Sequence, residues 1–379
     1  MKTVLKQLIK DSDSSSIPFI KFMEEALYNP HKGYYMTAGK RLGPGGDFVT
    51  APELTSLFGE LLALQMIELW QFMGSPTKFK LIEMGPGSGR LAYDILRTAK
   101  QFKNFYAAIS CELVEISQDF VQRQKKLLKK GGVHKKVCWH SDIDGALDGG
   151  VIGVIFANEF LDALPVHLVE QTANGLGEVG VKLDADGNFV TEILPLSKNI
   201  HGDYFSSRGI TLATGTRTEI AMPAQNWIKK AGELLQEGMV LLIDYGHTQK
   251  DYYAPVRTNG TLAGHLQHVR IDDPLANPGE MDLTAHVDFS AILAAGREAD
   301  LELLGYTTQG WFLMGLGILE RLEILSKVAG TDTGPLKEAI KRLIMPEGMG
   351  ETFKVMALGK GIGNQQLSGF RLNEQSKRL

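Results

Sequence analysis

One stretch constrains this chain more than any other: Phe79-Lys80-Leu81-Ile82-Glu83-Met84-Gly85-Pro86-Gly87-Ser88-Gly89-Arg90. An apolar run carrying one acid leads into a glycine-rich turn. Helical spacing of Leu91, Ile95, Leu96 and Ala99 begins directly after it. A strand, a tight turn and a helix in that order form a nucleotide-binding unit. Glycines let backbone approach a ligand closely, and a helix start offers N–H groups that have no partner within the helix.

The glycines at 85, 87 and 89 read G-x-G-x-G, and Arg90 stands where the dinucleotide fingerprint requires its third glycine. Glu83 lies two residues before the first glycine. Together these point away from NAD and toward S-adenosylmethionine (SAM), whose methionine amino group needs a nearby carboxylate and carbonyls.

The remaining pattern repeats strand and helix. Strands are expected at 78–84 (β1), 105–114 (β2), 136–140 (β3), 151–157 (β4), 239–243 (β5), 301–307 (β6) and 353–358 (β7). Helices separate the first several, including 88–100 and 117–130, the latter capped by Ser117. The expectation is an α/β fold: a seven-stranded, doubly wound, Rossmann-like sheet. Residues 1–75 form an N-terminal helical region with a glycine-rich loop at 43–53, and 76–165 with 222–360 form the sheet domain. Residues 166–221 read as an inserted α+β subdomain, in which 167–192 alternates around turn signals such as Asn174-Gly175 and 195–221 is irregular; 361–379 reads as a flexible tail. The inserts after β4, after β5 and between β6 and β7 are all available to bind substrate.

In open α/β sheets, ligands sit beyond the carboxyl ends of the strands. Glu115 ends β2, thirty-two residues after Glu83, where one carboxylate can accept from both hydroxyls of a ribose; Glu112 is the competing acid. Asp142, just past β3, suits an adenine edge. β4 delivers Asn158-Glu159-Phe160-Leu161-Asp162, and β5 delivers Asp244-Tyr245-Gly246-His247. Acids stabilising a helix N-terminus are the competing reading for Glu159 and Asp162. The 43–53 loop carries Asp47, Thr50 and Glu53 and reads either as a surface loop or as a lid over a cofactor. The loop histidines form no recognised metal triad, so no metal is expected.

Net charge is -4, which argues against a nucleic-acid partner. No run of about 18 apolar residues suggests a membrane span. The two cysteines, Cys111 and Cys138, lie in strand-like runs and read as buried free thiols. That suits a reducing compartment, either a bacterial cytoplasm or the mitochondrial matrix for a processed chain.

Several segments together resemble the MidA family, bacterial relatives of the mitochondrial arginine methyltransferase that assists complex I assembly. They are Pro18-Phe19-Ile20 with Phe22-Met23, Ala26-Leu27-Tyr28 with Gly33-Tyr34-Tyr35, and Gly46-Asp47-Phe48 with Thr50 and Pro52-Glu53. The glycine turn, Val114-Glu115, Asn158-Glu159-Phe160 with Asp162-Ala163-Leu164-Pro165, and Asp244-Tyr245-Gly246-His247 follow. Asp282-Leu283-Thr284, Val287-Asp288-Phe289, Met349-Gly350-Glu351 and Phe353-Lys354-Val355-Met356 complete the match. The resemblance implies a class I SAM methyltransferase sheet and methyl transfer to an arginine of a protein, such as the 49-kDa-type subunit of respiratory complex I.

On that reading Glu83, Gly85, Gly87, Gly89, Glu115, Asp142, Asn158, Asp47 and Thr50 hold the cofactor. Glu159 and Asp162 hold the guanidinium, and Asp244 or His247 receives the proton. A small-molecule methyltransferase and a SAM-binding assembly factor without turnover are the alternatives. Exposed helices leave room for a homodimer.

Overall fold

A computed structural model describes residues 1–37, 50–146, 149–267, 269–328, 332–363 and 365–379. Asp47, the 43–49 part of the expected lid and His268 lie outside the described residues. The chain divides into two compact units. The larger comprises Lys40–Phe160, Trp227–Gly246 and Phe289–Leu379, and the smaller Met1–Gly39, Leu161–Asn226 and His247–Asp288.

The larger unit carries β1 (Phe79–Met84), β2 (Ile109–Val114), β3 (Val137–His140), β4 (Val151–Asn158), β5 (Leu235–His247), β6 (Glu302–Thr308) and β7 (Phe353–Lys360). They lie in the order β6-β7-β5-β4-β1-β2-β3. The pairs from β5 through β3 are parallel, whereas β7 runs antiparallel to both β5 and β6. β4 is apolar almost throughout because helices cover both faces of a parallel sheet. Helix Ser56–Phe72 is likewise buried over much of its circumference, through Leu57, Leu61, Met66, Leu69 and Trp70.

Several sequence expectations change here. Residues 105–108 belong to helix Lys103–Ala108, and β2 starts at Ile109. Phe105 packs edge-on against Trp70, with ring centroids 5.5 Å apart, so its apolar character serves a helix over the sheet. Short apolar runs do not distinguish the two states. Cys111 is buried, but Cys138 is exposed. The helical pattern across 311–328 splits into Gln309–Gly315 and Ile318–Ser326. This region joins the larger unit, because Phe312, Leu313, Ile318, Ile340 and Leu343 enter its core. Of the three inserts, those after β4 and β5 therefore contribute to the smaller unit and the one between β6 and β7 does not.

The C-terminal segment is also docked. Leu367 and Phe370 are buried, the Ser368 hydroxyl and N–H bind Glu68 at 2.6 and 2.9 Å, and the Gly369 N–H binds Gln65 at 2.9 Å. Phe370 packs on Phe312 with centroids 5.2 Å apart. Polar composition hid two anchors and a set of side-chain acceptors on helix Ser56–Phe72. Phe370→Ala should lower unfolding free energy by about 3 kcal/mol in urea titration, the usual cost of an emptied phenyl site. A frayed tail would give no change.

In the smaller unit, Ser16–Pro18, Gly175–Leu183, His167–Thr172 and Arg217–Ile220 pair in that order, and Phe189–Leu194 pairs with Gly175–Leu183. The hairpin at Asn174-Gly175 forms as its sequence predicts. The N-terminal strand joins this sheet, so residues 1–75 do not act as one region: 1–39 belong to the smaller unit, and helix Ser56–Phe72 to the larger. The long polar segment after β5 contains a second sheet of Ala263–Leu266, Val269–Ile271 and Asp282–Thr284. Among the described residues, no helix is long and apolar enough to cross a membrane.

Candidate functional site

The glycine turn follows β1 as expected. Gly85, Gly87 and Gly89 have φ of +58°, +50° and +78°, a region that side chains other than glycine rarely enter. The Gly85 N–H donates to Val114 O at 3.1 Å, which ties the turn to the end of β2. A Cβ at position 89 would come within 2.9 Å of Gln124 Cγ, and one at 85 within 3.1 Å of Phe160. Gly89 opens helix Arg90–Ala99.

Three acids stand at or just past the carboxyl ends of β1, β2 and β4. Glu83 is buried, and burial pushes its pKa up to about 8, opposed by a hydrogen bond from the Ala92 N–H. Glu115 is pushed up to about 7 by burial, against bonds from Ser117 N–H (2.8 Å) and Gln124 Nε2 (3.2 Å). Glu159 is pushed up to about 8 by burial and then by the charge of Asp244. Among the described residues, no Lys or Arg forms an ion pair with any of the three. Glu112, the rival acid, points elsewhere and binds His140 Nε2 at 2.9 Å.

Two buried acceptors, Glu83 Oε2 and Asn158 Oδ1, have no hydrogen-bond partner among the described residues. They belong to neighbouring parallel strands, since Met84 aligns with Ala157. An ammonium donor is the complement of such a pair. The residues present therefore fit the methionine end of SAM.

Gln124 is the residue that sequence reasoning missed. Its amide donates to Gly87 O at 2.8 Å and to Glu115, and its carbonyl accepts from Trp139 Nε1 at 2.9 Å. It locks the glycine turn to the acid after β2. The available signal was one glutamine on the buried face of helix Gln118–Lys130, among Phe120, Val121 and Leu128. Ser117 occupies the cap position of that helix, but its side chain makes no cap bond, and its N–H binds Glu115 instead.

Glu159 adopts φ +52° although it is not glycine. Strain of that kind concentrates at functional sites. Its N–H donates to Ile243 O at 2.9 Å, and its carboxyl receives Asn158 Nδ2 at 3.1 Å, Tyr245 OH at 3.5 Å and the Ala51 N–H. Asp244 accepts from the Phe160 and Tyr245 N–H groups at 3.2 and 2.9 Å, which fixes the turn bearing Glu159. Thr50 begins the short helix Ala51–Leu54 without a side-chain cap bond. Asp142 is exposed just past β3, and the Gly145 N–H and then the Ser141 hydroxyl hold its pKa below the usual range.

Asp162 and His247 belong to the smaller unit, apart from Glu159 in the division of the chain. Asp162 is buried, and its carbonyl accepts from the Ala285 N–H at 3.0 Å. Its charge, with those of Asp282 and Tyr28, adds to burial in raising the Tyr35 phenol. His247 Nε2 lies 3.0 Å from His286 Nδ1.

A largely parallel sheet with a glycine turn after β1 and acids at its strand ends is the arrangement of a nucleotide-type binding protein. Residues 61–307 match the S-adenosyl-L-methionine-dependent methyltransferase family, and the chain belongs to that family. It is 32% identical to the protein arginine methyltransferase NDUFAF7, mitochondrial, of Homo sapiens, over 98% of this chain and 85% of that one. The Danio rerio protein of the same name is also 32% identical, over 94% and 87%. A crystal structure from Burkholderia thailandensis, bound to S-adenosyl-homocysteine, superposes with a TM-score of 0.91 at 34% identity, covering 100% of this chain and 96% of that one.

Proposed function

We propose that this SAM-dependent methyltransferase methylates an ω-nitrogen of an arginine in a protein. The observation that carries the proposal is the group of buried acids without cationic partners at the ends of β1, β2 and β4. Such a site favours cations, and the curated relatives are named arginine methyltransferases. The strand order, with β7 antiparallel, supports the class I arrangement.

Bound SAM supplies an electrophilic methyl carbon. Glu83 and Asn158 receive its amino group, Glu115 its ribose and Asp142 the adenine edge. Thr50, and Asp47 from outside the described residues, complete the cofactor side. A guanidinium has a pKa above about 12, so it arrives charged and is a poor nucleophile. A carboxylate that pairs with the fork draws positive charge away from the attacking nitrogen. Glu159 has that role. Its raised pKa falls when a cation binds, so the site ionises on occupation. Asp244, which braces the Glu159 turn, takes up the proton shed after transfer, a role the sequence offers to it or to His247.

The smaller unit binds the protein substrate, a 49-kDa-type subunit of respiratory complex I. The reaction supports assembly in the bacterial cytoplasm or the mitochondrial matrix. Incubation with methyl-tritiated SAM and a lysate from cells lacking this protein should label one protein band, with the label on arginine after hydrolysis. Label confined to small molecules, or no transfer, would reject this reading.

A further inference from the structure

We propose that Glu53 is a positioning residue that couples occupancy of the glycine turn to the setting of Glu159. Ser88, between Gly87 and Gly89, donates its hydroxyl to the Glu53 carboxylate. The same hydroxyl oxygen accepts the Arg90 N–H at 3.2 Å, so Glu53 is tied to the turn and, through Ser88, to the start of the following helix. Glu53 lies on Ala51–Leu54, a single helical turn. The first residue of that turn, Ala51, donates its N–H to the Glu159 carboxyl. Two residues apart on one helical turn, a side chain thus bonds the glycine turn and a backbone N–H faces the Glu159 carboxyl.

The other end of this element is anchored. Thr55 is extended, at φ -161°, and its hydroxyl accepts the Leu57 N–H at 3.2 Å at the start of the buried helix Ser56–Phe72. Glu159 is held in a left-handed conformation that other contacts must maintain. A ligand that fixes the glycine turn also fixes Ser88. Through Glu53 and Ala51, it then orders the carboxylate that is to meet the substrate. The enzyme would consequently complete its guanidinium site only after the cofactor is bound.

This inference rests on assigning the turn to the cofactor and Glu159 to the substrate. Its test uses the full chain and S-adenosyl-homocysteine as the probe, read by hydrogen exchange of fragments covering 50–58 and 157–163. In the unmodified protein, saturating probe should slow exchange in both fragments by about tenfold or more. In Glu53→Ala and Ser88→Ala, affinity for the probe should fall by about tenfold, and the double variant should be no weaker than either single one. At saturation the added protection of 157–163 should disappear in these variants, and kcat should fall more than KM changes. Glu53→Gln, which keeps the shape, should retain part of the effect and serves as the variant of assured folding.

Undiminished protection of 157–163 in Glu53→Ala would overturn the proposal, as would its absence in the unmodified protein. Glu159→Gln should keep that protection, because its amide oxygen still accepts the Ala51 N–H. Normal methylation by Glu159→Gln would therefore reject the substrate role of Glu159 and leave the coupling intact.

Discussion

Glu159→Gln should reduce methyl transfer by about 10²- to 10³-fold while changing affinity for S-adenosyl-homocysteine by no more than about twofold. Glutamine keeps the size of the side chain and an oxygen for the Ala51 N–H, but carries no charge. A guanidinium would then lose its counter-charge in a low-dielectric site, where such pairs are strongest. The left-handed backbone at this position should be unaffected, since Gln meets the same steric conditions as Glu. Label incorporation from methyl-tritiated SAM measures the first quantity, and calorimetric titration the second. Unchanged turnover would remove Glu159 from the reaction.

Glu83→Gln should separate stability from binding, with opposite signs. The unfolded carboxyl titrates near 4.5, whereas in the folded chain burial places the value at about 8. The folded state therefore keeps a proton that the unfolded chain releases between those limits. The stability from this group is complete below its unfolded pKa and is lost as pH rises through the folded one. Glutamine removes that loss. The ligand-free variant should melt roughly 3–5 °C above the parent at pH 8.5 and alongside it at pH 4.5. Its affinity for S-adenosyl-homocysteine should nevertheless drop by about 30- to 100-fold, the value of a charge-assisted hydrogen bond to an ammonium. Equal melting curves at pH 8.5 would contradict the uncompensated burial of Glu83. Equal affinity would contradict its role toward the amino group.

The central strands and the glycine turn were legible because their signals are local. An apolar run before glycines reads the same in any context, and β1, β4 and β7 begin where the sequence places them to within a residue. The position of Glu115 just past the end of β2 also follows from strand ends alone. What escaped depends on distant partners. Phe105 reads equally well as strand or helix until Trp70 is beside it. The tail looks polar until Gln65 and Glu68, three hundred residues earlier, meet Gly369 and Ser368. Gln124 has no motif of its own, and its meaning comes from the backbone of Gly87 and the indole of Trp139. Glu53 lay within a recognised segment, yet only its contact with Ser88 separates it from an ordinary loop acid.

The position of β7 has a consequence for how the chain is made. It follows the other six strands in chain order, yet it lies between β5 and β6 rather than at a margin. Until residue 353 is synthesised, the hydrogen-bonding edge of β5 that later meets β7 lacks its partner. A nascent chain that stops short of β7 thus carries an open, apolar strand edge, a feature prone to pairing with a neighbouring copy. Closing that edge is therefore a task of β7 rather than of the strands made before it.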